Sequence, residues 1–213
     1  MKKYKWRNWE RVSKRLLNNE IGILPTSGVY GIFALANPNN VNKINLIKGA
    51  PLDKKNSIMF PSIESVFEAM EIPEKFESLV RENVPGLTTF ILKPKQNWID
   101  KTGFDNLSDG VGVRVTTDYN LIRILKETGP LIATSANFYG KETITKAAHA
   151  DSHFSSISVS SSDNPDIKLE KTKISFILDG GNLGSTPSTI ISLLNDEIQI
   201  VRSKEYNIGD KGK

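Results

Sequence analysis

The chain has 213 residues, 38% of them hydrophobic and 24% charged, with a formal net charge of +4. That suits one globular domain able to bury a core, and so mild a charge names no partner by itself. The lack of cysteine excludes a disulfide framework, a thiolate nucleophile and a thiolate-bound metal. The short apolar runs exclude a bilayer span or secretory signal, so a cytoplasmic protein is expected.

Seven of the first fifteen residues are basic, with one acid, Glu10, and with Tyr4, Trp6 and Trp9 among them. The segment reads either as an arm for tRNA or other double-stranded RNA, or as an amphipathic helix over 6–18 that turns Trp9, Val12, Leu16 and Leu17 inward. A first strand is expected over 20–24, ended by Pro25, before a polar loop at Thr26, Ser27 and Gly28. Residues 41–47 read as a helix and 57–60 as a second strand. Acidic amphipathic helices near 62–70 and 74–83 should cover the sheet. After a turn at Pro85 and Gly86 come strands over 88–92 and 111–115, then a helix over 118–127 with Asp118 as its N-cap.

The stretch Gly129-Pro130-Leu131-Ile132-Ala133-Thr134-Ser135-Ala136-Asn137 reads as a buried strand that delivers Ser135 and Asn137 to its carboxyl end. A hydroxyl and an amide two residues apart face one ligand if the backbone stays extended. Residues 152–166 are rich in Ser, Asn and Asp and read as a surface loop or edge. Strands follow over 174–178, 189–193 and 198–202, the last two separated by a turn at Asn195 and Asp196. Strands and helices mix without a strict βαβ rhythm. The expectation is a single α/β domain over 1–213, its mixed sheet combining antiparallel and parallel pairs and flanked by helices. Within it are a basic amino-terminal helix at about 4–19, a core over about 20–203 and a short tail.

Several loops offer hydroxyls and cations but no acid–base pair. Thr26 follows a strand, Lys48 follows a helix and Arg114 ends a strand. Ser135 and Asn137 end another strand, Ser188 begins one and Arg202 closes the last. Three cations beside small hydroxyl residues suit a polyanion such as a nucleoside triphosphate. Neither the Gly-Lys-Ser/Thr phosphate loop nor the dinucleotide glycine pattern is present. His149 and His153 have no carboxylate partner at metal-ligand spacing, so no metal site is expected.

The order of these motifs resembles the YrdC-domain family of threonylcarbamoyl-AMP synthases, from about Asn19 to Arg202. Pro25-Thr26-Ser27-Gly28-Val29-Tyr30-Gly31 is similar to that family's first loop and Lys48-Gly49-Ala50-Pro51 to its Lys-x-Arg-Pro loop. Pro85-Gly86-Leu87-Thr88-Thr89, Val111-Gly112-Val113-Arg114, Ser135-Ala136-Asn137, Ser188-Thr189-Ile190 and Arg202 follow in the family's order. The resemblance implies synthesis of threonylcarbamoyl-adenylate and pyrophosphate from L-threonine, bicarbonate or carbon dioxide, and ATP. The product would pass to a separate transferase complex that modifies tRNA beside the anticodon. By the same resemblance Lys48, Asn137, Thr145 and Arg202 would hold ATP, with Lys48 and Arg114 catalytic. Thr26, Tyr30, Arg114, Ser135 and Ser188 would surround threonine. Magnesium would come with ATP, held by phosphates and water.

The chain departs from that pattern at Ser27 and Gly28, at Ala50 in place of the loop arginine, and at Met59 in place of a histidine. Lys54 and Lys55 in the same loop offer replacement charge. Two other readings stay open at this level: an RNA-binding protein without catalysis on the same fold, and a carbamoyl-adenylate enzyme acting on another amine. Few residues follow Arg202, so the extra carboxyl-terminal domain of some relatives is not expected in this sequence.

Overall fold

A computed structural model describes residues 1–159, 172–184 and 188–203. Pro165, Pro187 and residues 160–166 of the predicted 152–166 loop lie outside those residues. The strands are β1 (Lys2–Lys5), β2 (Ile21–Pro25), β3 (Tyr30–Leu35), β4 (Ser57–Phe60), β5 (Met70–Glu71), β6 (Thr88–Pro94), β7 (Val111–Val115), β8 (Leu131–Ser135), β9 (Ile174–Asp179), β10 (Thr189–Ser192) and β11 (Gln199–Arg202). The helices are α1 (Trp9–Leu17), α2 (Pro38–Lys48), α3 (Ile63–Ala69), α4 (Glu74–Asn83), α5 (Gln96–Thr102), α6 (Tyr119–Thr128) and α7 (Ala147–Phe154).

The sheet runs β1-β9-β2-β3-β8-β4-β7-β6-β10-β11, with β5 paired to β6 off that path. β9 is parallel to both β1 and β2, β4 is parallel to β7, and β6 is parallel to β10. The pairs β2–β3, β3–β8, β8–β4, β7–β6 and β10–β11 are antiparallel. The mixed α/β sheet flanked by helices is as expected.

Alternation along each strand divides the core in two. Ile23, Tyr30, Ile32, Ile58, Phe60, Phe90, Val113 and Ile177 face one side, where α2, α3, α4 and α7 cover them with Ile44, Val66, Val80 and Phe154. Leu24, Phe33, Met59, Leu131, Phe176 and Leu178 face the other, against Val12 and Leu16 of α1 and Leu121, Ile124 and Leu125 of α6. Among the described residues only α1 and α6 pack on this second face as helices, and they leave part of it bare. That bare part is where the candidate site lies.

Three expectations need correction. The first helix does not begin at residue 6: residues 2–5 form β1, residues 6–8 a 3₁₀ turn, and α1 starts at Trp9. Among these strand residues only Tyr4 is buried, its ring meeting Phe176 edge-on at 6.0 Å, so three lysines mask the apolar signal of an edge strand. Leu17 is 46% exposed rather than inward, because the stripe through Trp9, Val12, Ser13 and Leu16 leaves it on the rim. The predicted 152–166 loop begins inside α7, whose Ala150 and Phe154 are buried. A stripe made mostly of alanine carries little hydrophobic contrast, which hid the helix.

Candidate functional site

Strand register assembles the floor of a cleft on the bare face. Met59 pairs with Arg114, Thr89 pairs with Ile190, and Ile190 pairs with Arg202. Gly31 pairs with Ser135, and Ala133 with both Phe33 and Ser57. All of these residues line one cavity of about 430 Å³, within the usual range for small-molecule sites. Gly112, two residues before Arg114, keeps that floor open: a Cβ there would lie 2.8 Å from the Ser57 Oγ and 3.2 Å from the Thr89 Cγ2.

Lys48 enters from the end of α2. Asn37 caps that helix by accepting from the Asn40 N–H at 2.9 Å, and Pro38 follows in the first turn. Gly49 ends it in the left-handed region, with φ of 62°. The Lys48 side chain is 3% exposed. Its ammonium donates to the Ser135 carbonyl and, at 3.2 Å, to the Asn137 Oδ1. Burial pushes its pKa down to about 7, with the nearby Lys54 charge adding to the shift.

The segment after β8 completes this corner. Ser135 Oγ donates to Asn137 Oδ1 at 2.5 Å, Asn137 Nδ2 donates to the Lys141 carbonyl, and the Tyr139 N–H donates to the Lys48 carbonyl at 2.8 Å. Because β8 is antiparallel to both neighbours, its carboxyl end lies beside the start of β4 and the end of α2, rather than over a crevice of parallel strand ends.

Two arginines stand on the opposite side. Arg114 donates to the Gly86 carbonyl at 3.2 Å and to the Ser27 hydroxyl at 2.8 Å. Arg202 donates to the Ser188 carbonyl at 2.8 and 3.1 Å and to its hydroxyl at 3.1 Å, and Thr89 donates to that same hydroxyl at 3.0 Å. Burial and the neighbouring Arg202 lower the Arg114 pKa to about 10, so it keeps its charge at neutral pH. Thr26 donates to the Val29 carbonyl at 2.7 Å, which closes the loop over this end of the cleft.

The structure therefore brings together Thr26, Lys48, Arg114, Ser135, Asn137, Ser188 and Arg202 on one lining. It does not bring Tyr30 or Thr145 there. Gly31 and Phe33 take the cleft side of β3, so Tyr30 turns to the other side. Its hydroxyl accepts from the Gly180 N–H at 3.0 Å and donates to the Gly181 carbonyl at 2.8 Å, and burial raises its pKa. Past the buried Ile144 the chain leaves the wall: the Thr145 carbonyl accepts from the Leu183 N–H at 2.9 Å, and Thr143 is the residue on the lining.

Both Gly28 and Met59 are on the lining, and Ala50 is not; its loop reaches the cleft through Lys54, Lys55 and Asn56. The sequence reading assigned no role to Thr89, Tyr139 or Thr143, which the structure adds. Thr89 had a signal, its place in the Pro85–Thr89 motif on a strand whose alternation is readable. Tyr139 and Thr143 sit in a loop and had none.

Lys48, Lys54, Lys55, Arg114 and Arg202 all line the cleft, and among the described residues no carboxylate does. Among the described residues no group of His, Asp and Glu is placed to hold a metal. The arrangement can neutralise a polyanion with fixed cations and amide donors; it holds no nucleophile–base pair.

The sequence profile described as "Telomere recombination", that of Sua5, YciO and YrdC, matches residues 14–203. The chain belongs to the Sua5/YciO/YrdC family. Within that family it is 30% identical over 195 residues to a Methanocaldococcus jannaschii protein provisionally named threonylcarbamoyl-AMP synthase, covering 91% of this chain and 84% of the relative. It is 30% identical to the Bacillus subtilis threonylcarbamoyl-AMP synthase over 85% of this chain and 49% of that protein, spanning about half the relative's length. The Pyrococcus abyssi Sua5 structure complexed with L-threonine aligns with a TM-score of 0.76 and 26% identity, over 94% of this chain and 56% of that one. Escherichia coli YciO aligns with a TM-score of 0.77 over 94% and 93% of the two chains at 20% identity, a likeness of fold.

Proposed function

We propose that this member of the family is a threonylcarbamoyl-AMP synthase. In this reading the threonine nitrogen bonds to carbon dioxide and loses a proton to give a carbamate; starting from bicarbonate, the same bond forms with loss of water. A carbamate oxygen then bonds to the α-phosphorus of ATP, the bond to the β-phosphate oxygen breaks, and pyrophosphate leaves. The observation that carries the reading is the lining that places Lys48, Lys54, Lys55, Arg114 and Arg202 around one cavity, with no carboxylate among its described residues.

Lys48 and Asn137 would hold phosphate oxygens at one corner and Arg202 at the other. Charge building on the phosphoryl oxygens would meet cations already in place, which needs no protein nucleophile. Lys48, half neutral near pH 7 in the free protein, would become a full ammonium as the phosphates arrive. Thr26, Ser135, Ser188 and the Arg114 guanidinium would orient threonine and its carbamate, and this ordering would contribute much of the rate. Magnesium would enter with ATP, held by phosphates and water, because the described lining offers it no carboxylate.

The adenylate would serve tRNA modification by a separate transferase. For a tRNA contact at the amino terminus, Lys3, Lys5 and Arg15 are already paired with Asp151, Asp179 and Glu20, whereas Arg7, Arg11 and Lys14 are exposed. The test is pyrophosphate release with ATP, magnesium and bicarbonate, with and without L-threonine, and with prompt mass analysis of the labile mixed anhydride. Threonine-dependent release with the threonylcarbamoyl-adenylate mass is the expected result. Threonine-independent release, release driven by another amine, or no release by folded protein overturns the assignment.

A further inference from the structure

Loop 50–56 is a built unit rather than a loose connection. The buried Asn45 of α2 donates to the Leu52 carbonyl at 3.1 Å and to the Lys54 carbonyl at 2.8 Å, while its own Oδ1 accepts from the buried Asn56 at 2.8 Å. The Ala50 N–H donates to the Asn45 carbonyl at 2.8 Å and the Lys54 N–H to the Pro51 carbonyl at 3.1 Å. These bonds set the backbone from which Lys54 and Lys55 leave.

The two lysines are not equivalent. The Lys55 ammonium is spent on Asp109 and, at 3.2 Å, on the Gly110 carbonyl. Lys54 is half-buried on the cleft lining, and among the described residues its ammonium makes one long hydrogen bond, 3.4 Å, to the Asn56 Oδ1. A half-buried ammonium with so little compensation is costly unless an anion completes it. Burial lowers the Lys54 pKa, and its charge is close enough to Lys48 to depress that residue as well. Two repelling ammonium groups, with no carboxylate among the described lining residues, form a site whose missing component is negative.

Resting on the nucleotide reading of this cleft, we propose that Lys54 is a phosphate-contacting residue placed to share one polyphosphate with Lys48. The loop holds it there through Asn45 and Asn56. The ligand chemistry is a phosphate chain, such as that of a nucleoside triphosphate.

The experiment is calorimetric titration of the full chain with inorganic tripolyphosphate, ATP and L-threonine, comparing wild type, Lys54→Ala, Lys54→Arg and the exposed-surface control Lys126→Ala. Thermal melts verify that each variant is folded. Lys54→Ala should weaken tripolyphosphate and ATP roughly ten- to a hundredfold, the loss of one charge-assisted contact. Lys54→Arg should stay nearer to wild type, Lys126→Ala should match it, and threonine affinity should not change. Wild-type binding with an unchanged Lys54→Ala affinity overturns the Lys54 assignment and leaves the nucleotide reading standing. Folded wild type that binds neither tripolyphosphate nor ATP overturns both.

Discussion

At the residue scale the cleft depends on one buried lysine. Lys48 titrates near pH 7 because burial removes water from its ammonium, with Lys54 adding repulsion. In the free protein this makes stability rise with pH from about 7 to the ordinary lysine range, since there the unfolded chain binds the extra proton. A bound polyphosphate reverses the preference and restores the charge. ATP binding should therefore take up a proton above about pH 7, and affinity should fall as pH rises through that window. Calorimetry in buffers of different ionisation enthalpy reads that uptake directly. Lys48→Ala should weaken ATP roughly ten- to a hundredfold and abolish the uptake; equal affinity in variant and wild type would place the nucleotide elsewhere. Lys48, Ser135 and Asn137 were readable from their motifs. That they bond to one another was not, because 89 positions separate Lys48 from Asn137.

At the element scale, α1 and α6 decide how much of the second face is covered. Val12 and Leu16 are fully buried against that face and pack with Leu121, Ile124 and Leu125 of α6. Leu16→Ala should cost about 2–5 kcal/mol, transfer plus cavity, while the folded variant keeps its ATP affinity. Chemical denaturation and titration check the two halves separately, and a lost affinity in folded protein would mean that α1 shapes the cleft. Helix α6 was legible because its apolar stripe and its Asp118 cap, which accepts from the Leu121 N–H at 2.9 Å, reinforce each other. Strand β1 was not, since a lysine-rich strand with one inward tyrosine resembles a solvated arm until β9 provides its partner.

At the scale of the whole molecule, cations from α2, loop 50–56, β7 and β11 converge over one sheet face. Among the described residues only Lys55 of these has a carboxylate partner, Asp109, so the cluster should attract anions, and salt should screen much of that attraction from the open side. Affinity for ATP should fall as sodium chloride rises from about 50 to 500 mM, while the apolar core holds the melting temperature nearly level. A salt-independent affinity would show that the cations are fully committed to protein partners.

The sequence alone determined the type and chain order of most central strands and helices and the chemical character of the site, but not β1, α5 or the start of α7. Those follow from local periodicity, turn residues and the kinds of side chain at loop ends. Only the tertiary structure decided that Tyr30 supports the turn at Gly180 and Gly181 instead of lining the cleft, and that Thr143 takes the wall position in place of Thr145. It also decided that Lys54 faces the cavity while Lys55 pairs with Asp109. For Tyr30 the physical reason is register: which face a strand side chain takes depends on how distant strands pair, and a one-residue change reverses it. Thr143 and Lys54 lie in loops whose course is set by long-range hydrogen bonds, from the Leu183 N–H to the Thr145 carbonyl and from Asn45 to the Lys54 carbonyl.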